Sequence, residues 1–131
     1  MNIYLNKLRQ DKYTNSILNH ILNNKLYDQA WLCKDAPDDI LIKAGIDIYK
    51  KNFCYIRHDI GADIVVIKDN ITYFIKCKYI KNPLTYEDMG DFLFLIYGYN
   101  LNSIVYYNTQ LGDLIKAIST GRIKYIHYLD E

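Results

Sequence analysis

The sequence GADIVVIKDNITYFIKCKYI, residues 61–80, contains the clearest strand signal in the chain. Two runs rich in Val, Ile, Tyr and Phe, at 63–68 and 71–80, flank the polar turn sequence KDN at 68–70. Runs of β-branched and aromatic residues on either side of such a turn are typical of a β-hairpin. We therefore predict a hairpin here and interpret the rest of the chain around it.

Side chains alternate between the two faces of a strand. In the second run, the alternation predicts one face with Tyr73, Ile75, Cys77 and Tyr79 and another with Phe74, Lys76, Lys78 and Ile80. The side chains of Lys76 and Lys78 then start about 6.5–7 Å apart, so both ammonium groups can converge on one anion. In the first run Asp63 shares a face with Val65, and a favourable register places it across from the lysines.

Length and composition favour a single globular domain spanning residues 1–131. Of the 131 residues, 50% are hydrophobic and 24% charged, and Gly and Pro are few, which argues against disorder or a fibrous repeat. The net charge of +1 gives no global field that would attract nucleic acid or a membrane, so any basic site has to be local.

The cysteines and the absence of targeting signals indicate the compartment. The chain has an odd number of cysteines, Cys33, Cys54 and Cys77, and none of them forms a CxxC pair. This pattern suits reduced thiols better than disulfides or a zinc site. The N-terminus lacks the apolar core of a signal peptide, and no apolar run approaches transmembrane length. We expect a soluble, intracellular, cytoplasmic protein without a membrane partner.

Other elements follow from periodicity. Apolar spacing predicts a helix over 15–24, continuing towards Ala30, and a short helix that ends at Gly45. Residues 53–57 read as a strand or as irregular chain, and a helix is predicted to begin after an N-cap at Thr85. A strand, a short helix and a final strand complete an α/β order, for which a mixed central sheet flanked by helices is the economical packing. The strands on either side of the Thr85 helix should be parallel.

An aspartate on one strand and an acidic-x-Lys sequence on the next is the plan of a metal-dependent phosphodiesterase site. Carboxylates and a backbone carbonyl hold Mg²⁺, which polarises the phosphate and activates water. A lysine orients the nucleophile or stabilises the developing charge.

The residues HDIGADIVV…YFIKCKYI resemble the D-x-G-I-D…IQCK core of the restriction-endonuclease-like PD-(D/E)XK superfamily, in its Mrr-like branch. The flanking sequences WLCKDAPDDIL and LTYEDMGDFLFL…SIVYYNTQL extend the resemblance to residues 31–111. The whole is similar to the N-terminal module of helicases of large nucleocytoplasmic DNA viruses.

This resemblance implies an αβββαβ core, Mg²⁺-dependent cleavage of DNA, and a helicase or other DNA-processing partner. It makes Asp63 the metal-binding, catalytic aspartate, Lys78 the catalytic lysine, and Cys77 the donor of a backbone carbonyl to the metal. For a viral protein, it implies location in the viral factory or the host cytoplasm. His58 lies in the matched segment, where it could contact a phosphate.

The chain departs from the family at Lys76, where Glu or Gln is usual. A lysine ammonium has no acceptor for a metal and repels it. A carboxylate could migrate from Glu87, Asp88, Asp91 or Asp28, and the segment 16–30 lacks the glutamate that the family's first helix often carries. One aspartate facing two lysines is a poor metal cage and a plausible phosphate cradle.

Three functions therefore remain open. The first is a nuclease-like module, weak or inactive as an enzyme, that binds DNA or RNA through Lys76 and Lys78. The second is an active endonuclease with a migrated carboxylate, and the third is a protein-interaction domain that binds no nucleic acid. The plainer interpretations are that the two lysines form a solvated edge face and that Glu87 and Asp88 favour the helix macrodipole.

Overall fold

The computed structural model describes residues 3–46, 61–117 and 123–129. Its helices are α1 (Ile3–Asn23), α2 (Asp38–Lys43), α3 (Tyr86–Met89), α4 (Asp91–Tyr99) and α5 (Asp113–Ala117), with a 3-10 turn at Cys33–Asp35. Its strands are β1 (Gln29–Leu32), β2 (Ile64–Lys68), β3 (Ile71–Lys78), β4 (Asn102–Tyr107) and β5 (Ile123–His127).

The strands form one mixed sheet in the order β1-β2-β3-β4-β5. The pairs β1–β2 and β2–β3 are antiparallel, whereas β3–β4 and β4–β5 are parallel. The predicted α/β class with a mixed sheet is confirmed. The parallel relation of β3 and β4, the strands on either side of α3 and α4, is confirmed as well.

The predicted hairpin is formed by β2 and β3. Ile64 pairs with Ile75 at its open end and Lys68 with Ile71 at its turn. The turn residues Asp69 and Asn70 both have positive φ, 51° and 66°. A two-residue turn with this backbone matches the twist of the strands, and Asp and Asn tolerate it better than other non-glycine residues.

Helices cover both faces of the sheet, as the sequence predicted. Alternate strand residues pack on α1, in a buried cluster of Tyr13, Ile17, Ile21, Ile64, Val66, Ile75, Cys77, Ile104 and Tyr106. The opposite face packs on α2, α3, α4 and α5, in a cluster that includes Leu41, Val65, Phe74, Met89, Phe92, Ile96, Val105 and Ile115. The two clusters supply most of the hydrophobic stabilisation of the domain.

The first helix differs from its prediction at both ends. It begins at Ile3, twelve residues before the predicted start at Asn15, and it ends at Asn23. The predicted continuation towards Ala30 is wrong, because the chain turns at Lys25 with φ 49° and Ala30 pairs with Val66 in β1. Pairing along the edge of β2 overrides the helical spacing there. The segment 53–57, predicted as a strand or as irregular chain, lies outside the described residues.

The predicted N-cap at Thr85 is confirmed, but the helix predicted after it is divided into two, α3 and α4. Thr85 and Asp88 form a reciprocal capping box at the start of α3. Gly90, with φ 49° and ψ −128°, then separates α3 from α4. Only glycine adopts this conformation without strain, so the break is encoded locally.

The N-terminal helix is tied to the last described segment. Tyr13 Oη donates a hydrogen bond of 2.8 Å to the carbonyl of Tyr128, and Ser16 Oγ lies 3.3 Å from Tyr128 Oη. In the ranges 3–46, 61–117 and 123–129, no helix has both the length and the apolar character needed to cross a membrane.

Candidate functional site

Asp63 lies immediately before β2, at a point where the hairpin register is irregular. Its N–H donates to Ile75 O at 2.8 Å, although the register pairs Ile75 with Ile64. Two consecutive residues therefore face one residue of β3, which is the pattern of a β-bulge. The carbonyl of Asp63 also accepts the Cys33 N–H at 2.8 Å, so the backbone of Asp63 is fixed from both sides.

The carboxylate of Asp63 binds two partners through one oxygen. Asp63 Oδ2 accepts the Cys77 N–H at 2.7 Å and lies 3.9 Å from Lys76 Nζ. The side chains are 28% exposed for Asp63 and 20% for Lys76, so the ion pair is partly screened from water. The predicted approach of Asp63 to the lysines is thus confirmed for Lys76.

Burial and charge act on Asp63 in opposite directions. Burial raises the pKa of the Asp63 carboxyl above its usual value, while Lys76, the Cys77 N–H and, more weakly, Lys78 act to lower it. Burial is the larger effect, so the pKa stays raised. The ammonium of Lys76 is the largest of the influences that keep this carboxyl charged.

A cavity of about 380 Å³ opens in front of Asp63, between α1 and the end of β1. It is lined by Lys7, Asp11, Thr14, Asn15, Leu32, Cys33, Lys34, Ala62 and Asp63. The sequence reasoning missed Lys7 and Asp11, because it began the helix at Asn15. The apolar residues Leu5 and Leu8, three positions apart, were a weak signal that could have extended it.

Lys78 borders a second, larger groove of about 620 Å³ between the start of α1 and the segment that follows β3. The groove is lined by Ile3, Asn6, Lys7, Arg9, Gln10, Lys78, Tyr79, Ile80, Lys81, Asn82 and Asp88. Lys7 belongs to both linings, so the groove and the cavity adjoin. The two lysines of β3 therefore differ: Lys76 is paired with Asp63, and Lys78 faces the groove.

Two of the other predicted carboxylates, Asp88 and Asp28, have local structural partners. Asp88 Oδ2 accepts the Thr85 N–H at 2.8 Å in the capping box, and Glu87 is exposed in the same first turn. Asp28 Oδ2 accepts the Asp69 N–H at 2.9 Å, which places Asp28 at the hairpin turn, the opposite end of β2 from Asp63. His58, proposed as a phosphate contact, lies outside the described residues.

Cys77 is a buried residue, as predicted from its alternation. Its side chain is hydrogen-bonded to Thr14 and is 2% exposed, and burial raises the pKa of its thiol well above the usual value. A protonated, buried thiol is a poor nucleophile. The N–H and C=O of one strand residue point to the same side, so we expect the Cys77 carbonyl at the strand edge that faces Asp63.

The donor set around Asp63 fits Mg²⁺ poorly. Mg²⁺ prefers octahedral oxygen ligands, including carboxylates. Within the described part of the chain, no three His, Cys, Asp or Glu side chains lie together in a way that could hold a metal. Asp11 and Asp63 share one cavity, and the Asp63 oxygen nearest β3 is already bound to an amide and near an ammonium.

No family model matches the chain, and neither a curated protein nor a solved structure matches it. The resemblance to restriction-endonuclease-like proteins therefore stays a prediction, and function has to be inferred from the side chains around Asp63.

Proposed function

We propose that the chain is a restriction-endonuclease-like module that binds nucleic acid and cleaves it weakly or not at all. Its element order supports this, because the αβββαβ order is followed by α1, the antiparallel strands β1, β2 and β3, α3 with α4, and β4, with α2 inserted between β1 and β2. The resemblance then gives Asp63 the role of the metal-binding aspartate and Lys78 that of the catalytic lysine.

The observation that carries the proposal is the 3.9 Å approach of Lys76 Nζ to Asp63 Oδ2. The ammonium supplies a positive charge where a nuclease would hold a divalent cation. A metal ion entering this site would have to compete with Lys76 for the Asp63 carboxylate. It would also be repelled by the positive charge of the ammonium. Phosphate contacts need no metal, so binding can persist where hydrolysis does not.

Lys78 is the residue that we assign to phosphate contact. It borders the open groove, whereas the charge of Lys76 is largely offset by Asp63. A lysine binds phosphate as a point charge and adds affinity that falls with salt. By its resemblance, the module would act on DNA, or RNA, beside a helicase or other DNA-processing machinery.

The first test measures binding of labelled DNA and RNA by fluorescence anisotropy at about 50 mM and about 200 mM salt, a range over which phosphate contacts weaken measurably. We expect binding that weakens with salt and weakens further in Lys78→Ala. Lys43→Ala, an exposed lysine on α2, is the matched control and should bind like the unmodified protein. Absence of binding at low salt would instead support the protein-interaction function.

The second test restores a metal ligand. Lys76→Glu removes the ammonium and places a carboxylate beside Asp63, so we expect Mn²⁺ binding, measured by titration calorimetry, to appear or to tighten at least tenfold. Lys68→Glu makes the same charge change at the far end of β2 and should leave Mn²⁺ binding unchanged. Equal Mn²⁺ binding by both variants would contradict the assignment of Lys76 to the metal position.

The second candidate function, an active endonuclease, is favoured by one observation: Asp11 lines the same cavity as Asp63. Asp11 could then supply the carboxylate that Lys76 does not. Its test is cleavage of plasmid and single-stranded DNA with Mg²⁺ or Mn²⁺. Cleavage that disappears in both Asp63→Asn and Asp11→Asn would establish this function and refute the inactive module.

A further inference from the structure

We propose that the groove between α1 and the end of β3 binds a single strand of nucleic acid, with phosphates on Lys7, Arg9 and Lys81 and a base on the ring of Tyr79. This inference rests on the proposed function and names the form of its ligand. Lys78 lines the same groove, but the contacts named here, on Lys7, Arg9, Tyr79 and Lys81, are not used by the proposed function, so each proposal can fail separately.

The charge of the groove fits a chain of phosphates. Its described lining contains four basic residues, Lys7, Arg9, Lys78 and Lys81, and one acidic residue, Asp88. The Asp88 carboxylate already accepts hydrogen bonds from the N–H and the hydroxyl of Thr85. Although the whole chain carries a net charge of only +1, this groove is therefore strongly positive.

Tyr79 provides an aromatic surface in the same groove. Its side chain is 43% exposed, and the ring of the buried Tyr13 supports it at a centroid distance of 5.5 Å. The backbone of Tyr79 is fixed by the side-chain amide of Gln10, which donates to Tyr79 O and accepts the Tyr79 N–H at 3.0 Å. The ring is thus held in place before any ligand arrives, which lowers the entropic cost of stacking.

The mixture of basic and apolar walls distinguishes a single strand from a duplex. A duplex presents phosphates outwards and keeps its bases stacked within, so it has little use for the apolar walls that Ile3, Tyr79 and Ile80 form. A single strand exposes its bases, and proteins that bind single strands combine a positive groove with aromatic stacking residues. Lys7 also lines the cavity in front of Asp63, so a strand in the groove would pass beside that cavity.

The experiment compares labelled dT20 and U20 with a 20-base-pair duplex and with polyglutamate, by anisotropy over a range of salt. We expect either single strand to bind at least fivefold tighter than the duplex and tighter than polyglutamate. Arg9→Ala and Lys81→Ala should each reduce the slope of log K against log salt by about 0.7, the value for one phosphate contact on a single strand.

Substitution of Tyr79 tests base stacking separately from charge, because tyrosine carries no charge that a phosphate could contact. Tyr79→Leu should weaken single-strand binding about 5-fold to 150-fold, the range for loss of one stacked base, and leave the salt slope unchanged. Tyr79→Phe keeps the ring and should retain the affinity. The matched controls are Tyr97→Leu, at another exposed tyrosine, and Lys116→Ala, at an exposed lysine on α5.

The outcomes separate the two proposals. Equal binding of single strands and duplex would overturn the groove assignment and leave the proposed function standing. The same conclusion would follow if the Tyr79, Arg9 and Lys81 variants bound like the unmodified protein while Lys78→Ala bound weakly. If neither nucleic acid binds at low salt, the proposed function itself falls. Polyglutamate binding as tight as dT20 would make the groove a general polyanion site and would also overturn the assignment.

Discussion

Gln10 and Tyr79 are joined by a reciprocal pair of hydrogen bonds between the side-chain amide of α1 and the backbone beyond β3. The next residue, Ile80, is held in the same way from the other side, by Asn108 at 2.8 and 3.0 Å. The bonds of successive strand residues point to opposite sides. Just beyond the end of β3, the side-chain amides of Gln10 and Asn108 thus make the backbone hydrogen bonds that neighbouring strands would otherwise make.

Removing the Gln10 amide should destabilise the fold. Gln10→Ala is expected to lower the free energy of unfolding by about 1–3 kcal/mol, because two hydrogen bonds contribute about 0.5–1.5 kcal/mol each. Urea denaturation measures the change. Asn19→Ala, at an exposed position of the same helix, should leave stability equal or slightly raised, since alanine favours helices. Equal stability of Gln10→Ala and the unmodified protein would contradict this role.

Lys76 should hold down the pKa of Asp63. In Lys76→Met the attraction of the ammonium is lost while burial remains, so the pKa of the Asp63 carboxyl is expected to rise further above its usual value. Carboxyl ¹³C NMR titration measures it directly. Lys78→Met should raise the pKa by less, because Lys78 has the weaker influence. A larger rise in Lys78→Met would show that the ion pair is wrongly assigned.

Asp63 should make stability depend on pH in the direction opposite to that of most carboxylates. Its pKa is raised in the folded protein above the reference value of 3.8, so the folded state binds this proton more readily than the unfolded state. The resulting stabilisation is fully present below the unfolded pKa and is lost as pH rises through the folded pKa.

We therefore compare the unmodified protein with Asp63→Asn, whose amide oxygen can still accept the Cys77 N–H. Urea midpoints from about pH 3 to about pH 7 should show the unmodified protein gaining stability relative to Asp63→Asn as the pH falls. A relative loss of stability on acidification would mean that the pKa of Asp63 is lowered, with the ion pair dominating over burial.

Gly61 should not accept a side chain. Its φ is 90°, and a Cβ atom there would lie 2.5 Å from the backbone nitrogen of Phe92, at the start of α4. Gly61→Ala is expected to cost about 2–4 kcal/mol through backbone strain and overpacking. Gly98→Ala, within α4 with no neighbour within 4 Å of the added atom, should stabilise by about 0.5–1 kcal/mol. Thermal unfolding of the two variants distinguishes them, and equal midpoints would refute the close approach.

Local patterns were sufficient to predict the hairpin, the parallel pairing of β3 with β4 and the proximity of Asp63 to Lys76. Each depends on residues near in sequence or on a rule of chain handedness. The bulge at Asp63 could not be predicted in this way, because alternation assumes that one residue faces one residue.

The residues of α1 that border the site were missed for a different reason. The first turns of the helix carry the exposed apolar residues Ile3, Leu5 and Leu8, whereas the buried positions begin only at Tyr13. Without burial to fix a face, the pattern there is weak. Lys7 and Asp11 lie on this stretch and enter the site only because the later turns dock on the sheet.

The bond between Tyr13 and the Tyr128 carbonyl joins positions 115 residues apart in the chain. The helix α1 is synthesised before the other described elements. Tyr13 can therefore bond to Tyr128 only after almost all of the described sheet has been synthesised. The wall that α1 gives to the groove and the cavity should therefore become rigid late in synthesis. If the groove binds a single strand, as we propose, a nascent chain should bind that strand poorly, and binding would report that folding is complete.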